Sequence, residues 1–87
     1  MVMAGTGVKW SNGAAALNDF LAATKMPCYC NGMGRGTVTN DSPYFFNRTR
    51  REYLEQTDCV ILAGSLLDFR MRFGQSIPAD AKIIQLD

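Results

Sequence analysis

The residues of this chain that could do chemistry are mostly glycines, and they fall at particular places. Gly5-Thr6-Gly7 follows the apolar run Val2-Met3-Ala4; Gly32-Met33-Gly34-Arg35-Gly36 follows Cys28-Tyr29-Cys30; Gly64-Ser65 follows Cys59-Val60-Ile61-Leu62-Ala63; and Asp87 follows Ala81 to Leu86. A glycine after a strand lets backbone N–H groups approach a phosphate with no Cβ in the way. An acidic residue ending a neighbouring strand can accept hydrogen bonds from ribose hydroxyls. Together the four points fit a nucleotide; singly each is weak. Gly5-x-Gly7 lacks the third glycine of G-x-G-x-x-G, where Trp10 stands. For the Gly32–Gly36 run, contact with a ligand or another domain and plain turn chemistry are both open readings. Arg35 within it could pair with phosphate or with a carboxylate of another domain.

Other chemistries are poorly served. The chain has no histidine, which removes Ser-His and Cys-His catalysis. Cys28, Cys30 and Cys59 lack the ligand number and spacing of a zinc site and read as small buried thiols in a reducing cytosol. No Gly-Lys-Ser phosphate loop occurs, and no carboxylate pair has a spacing that argues acid–base catalysis. Arg48, Arg50 and Arg51 are followed by Glu52, Glu55 and Asp58, so a solvated, salt-bridged helix face is expected, not nucleic-acid readout. Leu67-Asp68-Phe69-Arg70-Met71-Arg72-Phe73 alternates aromatics with arginines and suggests a packed interface segment, from which Asp68 and Arg70 could reach the ligand edge.

These residues must be held by a regular frame. Strands are expected near 1–4, 27–30, 59–63 and 82–86. A helix capped by Ser11 or Asn12 is expected over 12–24, with Ala14, Leu17, Phe20 and Leu21 on its inner face. A second helix is expected over 46–56, with Tyr53 and Leu54 inward, and a short helix or turn over 66–73. The run at 59–63 is all apolar, as for a strand covered on both faces. Alternation of strand and helix predicts an α/β fold: a Rossmann-like parallel sheet with helices on both faces and the first strand between the second and third. With about four strands, and with its ends falling in strands, the chain is expected to be a truncated domain.

Composition agrees. The 87 residues are 47% apolar and 20% charged, with net charge +1. That is a globular balance with no bulk attraction for nucleic acid or membrane. The apolar runs are far too short to span a bilayer, and no signal peptide is visible. A cytoplasmic location is expected.

Taken in order, Gly5-Thr6-Gly7-Val8, Trp10-Ser11, Pro27, Asn31 to Gly36, Asp58 to Gly64, Leu67 to Arg70, Phe73-Gly74 and Ile83 to Asp87 resemble the central domain of thiamine-diphosphate-dependent enzymes, nearest the acetolactate synthase-like group that includes 2-hydroxyacyl-CoA lyases and oxalyl-CoA decarboxylases. The resemblance runs over nearly the whole chain. It implies one central-domain fragment over 1–87, lying in its parent between two domains that bind thiamine diphosphate and Mg2+. It implies a parent that is a C–C lyase or carboligase; separately, the open edges and uncovered apolar faces of a truncated sheet lead to the expectation of a homo-oligomer. It also implies that this piece has no catalytic residue and no metal ligand of its own. Central domains of this family hold FAD, ADP or nothing. By position, the resemblance marks Gly5, Gly7, Val8, Gly32, Met33, Gly64, Ser65, Asp68, Arg70 and Asp87 as candidate contacts. Leu66 departs from it, standing where nucleotide-binding relatives often have arginine. A free-standing nucleotide-binding or regulatory module, and a structural domain without ligand, are the alternative readings of the same layout.

Overall fold

The computed structural model describes residues 1–46, 50–65 and 77–86. Strand β1 (Val2–Ala4) leads into a single turn of helix, α1 (Thr6–Trp10), and then α2 (Ala14–Thr24). Strand β2 (Cys28–Cys30), a 3-10 turn at Gly32–Gly34, helix α3 (Arg50–Gln56), strand β3 (Cys59–Ala63) and strand β4 (Lys82–Leu86) follow. The four strands form one sheet in the order β2-β1-β3-β4, every pair parallel. The expected α/β architecture and the place of the first strand are what the structure shows.

The register sorts side chains onto two faces, since neighbouring residues of a strand point opposite ways. Val2, Ala4, Cys28 and Cys30 pack with Val8, Leu17 and Leu21 of α1 and α2. Met3, Tyr29, Val60 and Leu62 pack with Leu54 of α3 and with Ile77. The β1–β2 link therefore lies on one face and the β2–β3 link on the other. They run in opposite directions along the sheet, so a common crossover hand requires opposite faces.

Several local expectations are corrected. The helical region before β2 is two helices. Asn12 adopts φ +57°, and this left-handed residue separates α1 from α2. Neither Ser11 nor Asn12 caps α2. Its N-cap is Gly13, with no side-chain bond. Ser11 closes α1 instead, its hydroxyl donating to the Val8 carbonyl at 3.3 Å. Of the expected inner face of α2, Leu17 and Leu21 are buried, while Phe20 is 40% exposed because the helix rests on the sheet along a narrower stripe. Among the described side chains of α3, Leu54 alone reaches the core. Tyr53 is 46% exposed and instead stacks on Phe46, both rings lying 6.0–6.3 Å from the buried Tyr29. Beside β2, the Cys28 N–H donates to Tyr44 and the Phe46 N–H donates to Cys28, so Tyr44–Phe46 shield that edge of the sheet.

Strand β3 is covered unevenly. Val60 and Leu62 are fully buried, but Cys59, Ile61 and Ala63 on the other face are half-buried, Ile61 and Ala63 packing at the margin of the cluster under α1 and α2. All five residues of β4 are exposed. The expected short element at 66–73, the helix residues 47–49 and Asp87 lie outside the described residues, as do the side chains of Arg50 and Arg51. No helix among the described residues is long and apolar enough to cross a membrane.

The asymmetry of β3 and β4 makes a test. Replacing Leu62 by alanine opens a cavity in a closed core and is expected to lower stability by about 2–5 kcal/mol. Ile84→Ala, on the open face, is expected to change it by less than about 1 kcal/mol. Urea unfolding measures both, and equal losses would show that the open face is packed.

Candidate functional site

The carboxyl ends of the strands converge as their glycines suggest. What the glycines do there is visible in the backbone. The Gly5 N–H donates to the Ala63 carbonyl at 2.9 Å, the Gly7 N–H to Gly64 at 2.9 Å, and the Gly64 N–H to Leu86 at 2.7 Å. These three amides are engaged within the chain. A phosphate at this edge would compete with the Ala63 and Gly64 carbonyls for the N–H groups of Gly5 and Gly7.

The glycines are small because the chain passes close to itself. A Cβ on Gly7 would stand 2.8 Å from the Gly64 Cα, and one on Gly64 would stand 2.6 Å from the Val8 nitrogen. Gly64 also has φ +59°, a region that costs residues with a Cβ about 1–2 kcal/mol. The first turn of α1 is thus pressed directly against the end of β3.

Two residues that the sequence reading did not single out complete the arrangement. Asn31, 7% exposed at the end of β2, bonds through its amide nitrogen to the Ser65 hydroxyl at 3.2 Å, and Ser65 is itself buried. The pair ties the end of β2 to the end of β3 across β1. Thr6 accepts a bond from the Met33 N–H at 3.2 Å, fixing the Gly32–Gly36 loop to α1. The only signal for Asn31 in the sequence is a polar residue directly after a buried strand.

The structure thus gathers Gly5, Gly7, Val8, Gly32, Met33, Gly64 and Ser65 at one end of the sheet. Val8 and Ser65 are buried, and Met33 is 43% exposed. Asp68, Arg70, Asp87 and the departing Leu66 lie outside the described residues. A small cavity of about 120 Å³ opens between α1 and the ends of β3 and β4, lined by Gly7, Val8, Ser11, Ala63, Gly64 and Leu86. It can take a small group at the edge but presents no charged side chain among its described lining.

The cysteines do not make a site. Cys28 and Cys30 point to the same face, as their spacing requires, and are fully buried under α1 and α2. The hydrogen bond to Cys30, and burial, push the Cys28 thiol up. The same bond holds the Cys30 thiol down against its burial, but the residue is 1% exposed and closed to a substrate. All three cysteines are free, and no group of metal-binding side chains is found among the described residues.

The close approach of α1 to β3 makes a prediction. Gly64→Ala meets both a positive φ and the Val8 backbone, and is expected to lower stability by more than about 2 kcal/mol. Gly36→Ala has φ +91° but no atom within 4 Å of the added carbon. It is expected to cost about 1–2 kcal/mol, the conformational cost alone. Urea midpoints of the two variants check the difference.

Comparison with known proteins agrees with this geometry. Residues 1–87 match the family described as "Thiamine pyrophosphate enzyme, central domain". The acetolactate synthase large subunit IlvG of Mycobacterium tuberculosis is 34% identical over 87 residues, covering 100% of this chain and 16% of that protein. The 2-hydroxyacyl-CoA lyase 2 of Danio rerio is 36% identical over 67 residues, covering 77% of this chain and 11% of the relative. The human protein of the same name is 29% identical over 84 residues, covering 97% of this chain and 13% of its own length. The chain spans a small part of each relative it matches. With a four-stranded parallel sheet in the order β2-β1-β3-β4 and a match along its whole length, the chain belongs to the thiamine pyrophosphate enzyme central-domain family.

Proposed function

We propose that this chain is the central domain, over 1–87, of an acetolactate synthase-like C–C lyase or carboligase, and that it contributes architecture and a nucleotide edge without catalytic residues of its own. The observation that carries this reading is the family match along all 87 residues. Thiamine diphosphate, when bound in such an enzyme, stabilises the carbanion formed at the substrate carbonyl carbon. The residues described here do not fit that cofactor: no cluster of metal-binding side chains is found among them to hold a diphosphate-bound Mg2+. Thiamine diphosphate and magnesium are therefore assigned to flanking domains.

The open face supports such neighbours. An apolar groove of about 450 Å³ runs between α2 and strands β3 and β4, with Leu17, Phe20, Ile61, Ala63, Ile84 and Leu86 among its lining. Parallel sheets are normally covered on both sides. Further polypeptide of the parent, or another subunit of a homo-oligomer, is the cover this reading supplies. The unpaired cysteines suit a cytoplasmic protein.

For the nucleotide edge, FAD or ADP is the ligand class, lying near Gly32, Met33, Gly64 and Ser65, with Asp68, Arg70 and Asp87 as further candidate contacts. The amides of Gly5, Gly7 and Gly64 are occupied and Leu66 carries no charge, so binding is weak on this reading.

Two measurements test the proposal. The complete protein, given thiamine diphosphate and Mg2+, is expected to turn over a 2-keto acid or a 2-hydroxyacyl-CoA, whereas the 87-residue chain alone is expected to show no turnover. Activity of the short chain, abolished by a substitution within it, would overturn the assignment. In calorimetry with ADP and FAD, Leu66→Arg is expected to tighten binding about ten- to a hundredfold, the worth of one charge-assisted bond. Submicromolar affinity in the unaltered protein would contradict the weight placed on Leu66.

A further inference from the structure

Between α1, the start of α2 and the loop after β2 lies a further concavity, of about 320 Å³, that shares Val8 with the β3–β4 cavity and that the family reading leaves unused. Lys9 comes from the end of α1, Asn12 from the turn between the helices, Ala14 from the start of α2, and Met33, Arg35 and Thr37 from the loop after β2. Two cations line it, and no carboxylate is among its described lining, in a molecule whose net charge is only +1.

Its walls are fixed. Met33 is held to Thr6 at 3.2 Å, and the Thr37 hydroxyl donates to the Gly34 carbonyl at 2.6 Å. The Asn18 amide donates to the Thr37 carbonyl at 2.8 Å and to Ala14 at 2.7 Å, clamping the loop onto α2. The loop that carries Arg35 is thus anchored to both helices that carry the other lining residues. The Arg35 guanidinium offers a planar fork of donors, Lys9 a point charge, and Asn12 a neutral amide. That donor set suits a tetrahedral oxyanion. Met33 and Val8 add an apolar wall for whatever the anion is attached to.

We propose that this pocket, between α1, the start of α2 and the loop Gly32–Thr37, binds a phosphate group through Lys9 and Arg35. The pocket shares Val8 and Met33 with the candidate carboxyl-edge contacts, but Lys9 and Arg35, which carry the proposal, are not among those contacts.

The test is calorimetric titration of the complete protein with inorganic phosphate and, separately, with phenyl phosphate. Inorganic phosphate is expected to bind with a dissociation constant of roughly 1–10 mM, as a few exposed charge-assisted bonds allow. Lys9→Gln and Arg35→Gln are each expected to weaken it about three- to tenfold. Both side chains are exposed, so the variants should keep the parent's circular dichroism and melting temperature. Lys25→Gln, at the far end of α2, is expected to leave phosphate binding unchanged. Tighter binding of phenyl phosphate would identify a phosphorylated metabolite as the ligand, and tighter binding of inorganic phosphate would identify the free ion. Three results would overturn the site: no binding at about 50 mM phosphate, an unchanged constant in the Lys9→Gln, Arg35→Gln double variant, or an equal loss in Lys25→Gln. Loss of ADP binding with phosphate binding intact would reject the nucleotide edge and leave this pocket standing.

Discussion

The contact of Gly7 with Gly64 constrains everything around it. A helix that starts one residue after a strand has to turn sharply at the end of the sheet, and here it turns against the backbone of the neighbouring strand. Only residues without a Cβ allow that approach. Once made, it aligns the Gly7 N–H with the Gly64 carbonyl, places Val8 in the core and sets where α1 ends. Asn12, in its left-handed conformation, then redirects the chain so that Leu17 and Leu21 of α2 meet the same face of the sheet.

The Asn31–Ser65 bond extends the constraint to the third strand end. A buried amide and hydroxyl that satisfy each other avoid the cost, about 1–3 kcal/mol, of an unpaired polar group. Because they stand on two strands separated by β1, their pairing fixes the spacing of the loops after β2 and β3. The carboxyl end is thus a weave of backbone bonds and the side chains of Asn31, Ser65 and Thr6.

Much of the architecture was legible in the sequence. The apolar runs at Val2–Ala4, Cys28–Cys30 and Cys59–Ala63 are each bounded by Gly or Pro, and the spacing of Leu17 and Leu21 has the helical period. Their parallel pairing follows from alternation. The single turn α1 was not legible, because Gly5-Thr6-Gly7 has poor helix propensity and its first-turn donor at Gly7 is satisfied by Gly64, a residue distant in sequence just after β3. The cap was misread for a related reason: Ser11 satisfies α1, which the sequence did not reveal, and so is not free for α2. The glycines were located correctly but their role was ambiguous, since close approach to a phosphate and close approach to another backbone demand the same missing Cβ. Asn31 and Thr6 were missed because a polar side chain that bonds across the sheet has no local signature. Family membership was legible because it rests on the order of many short motifs along the chain.

Amide hydrogen exchange at the carboxyl ends addresses the central claim most directly, since it reads the glycine N–H groups one by one. With no nucleotide present, the amides of Gly5, Gly7 and Gly64 are predicted to be protected to the same degree as the Ile61 amide within β3, and to gain little when ADP is added. Rapid exchange at Gly5 and Gly7 that becomes slow only with ADP would show that these donors face a ligand, and would contradict the account in which they hold the chain to itself.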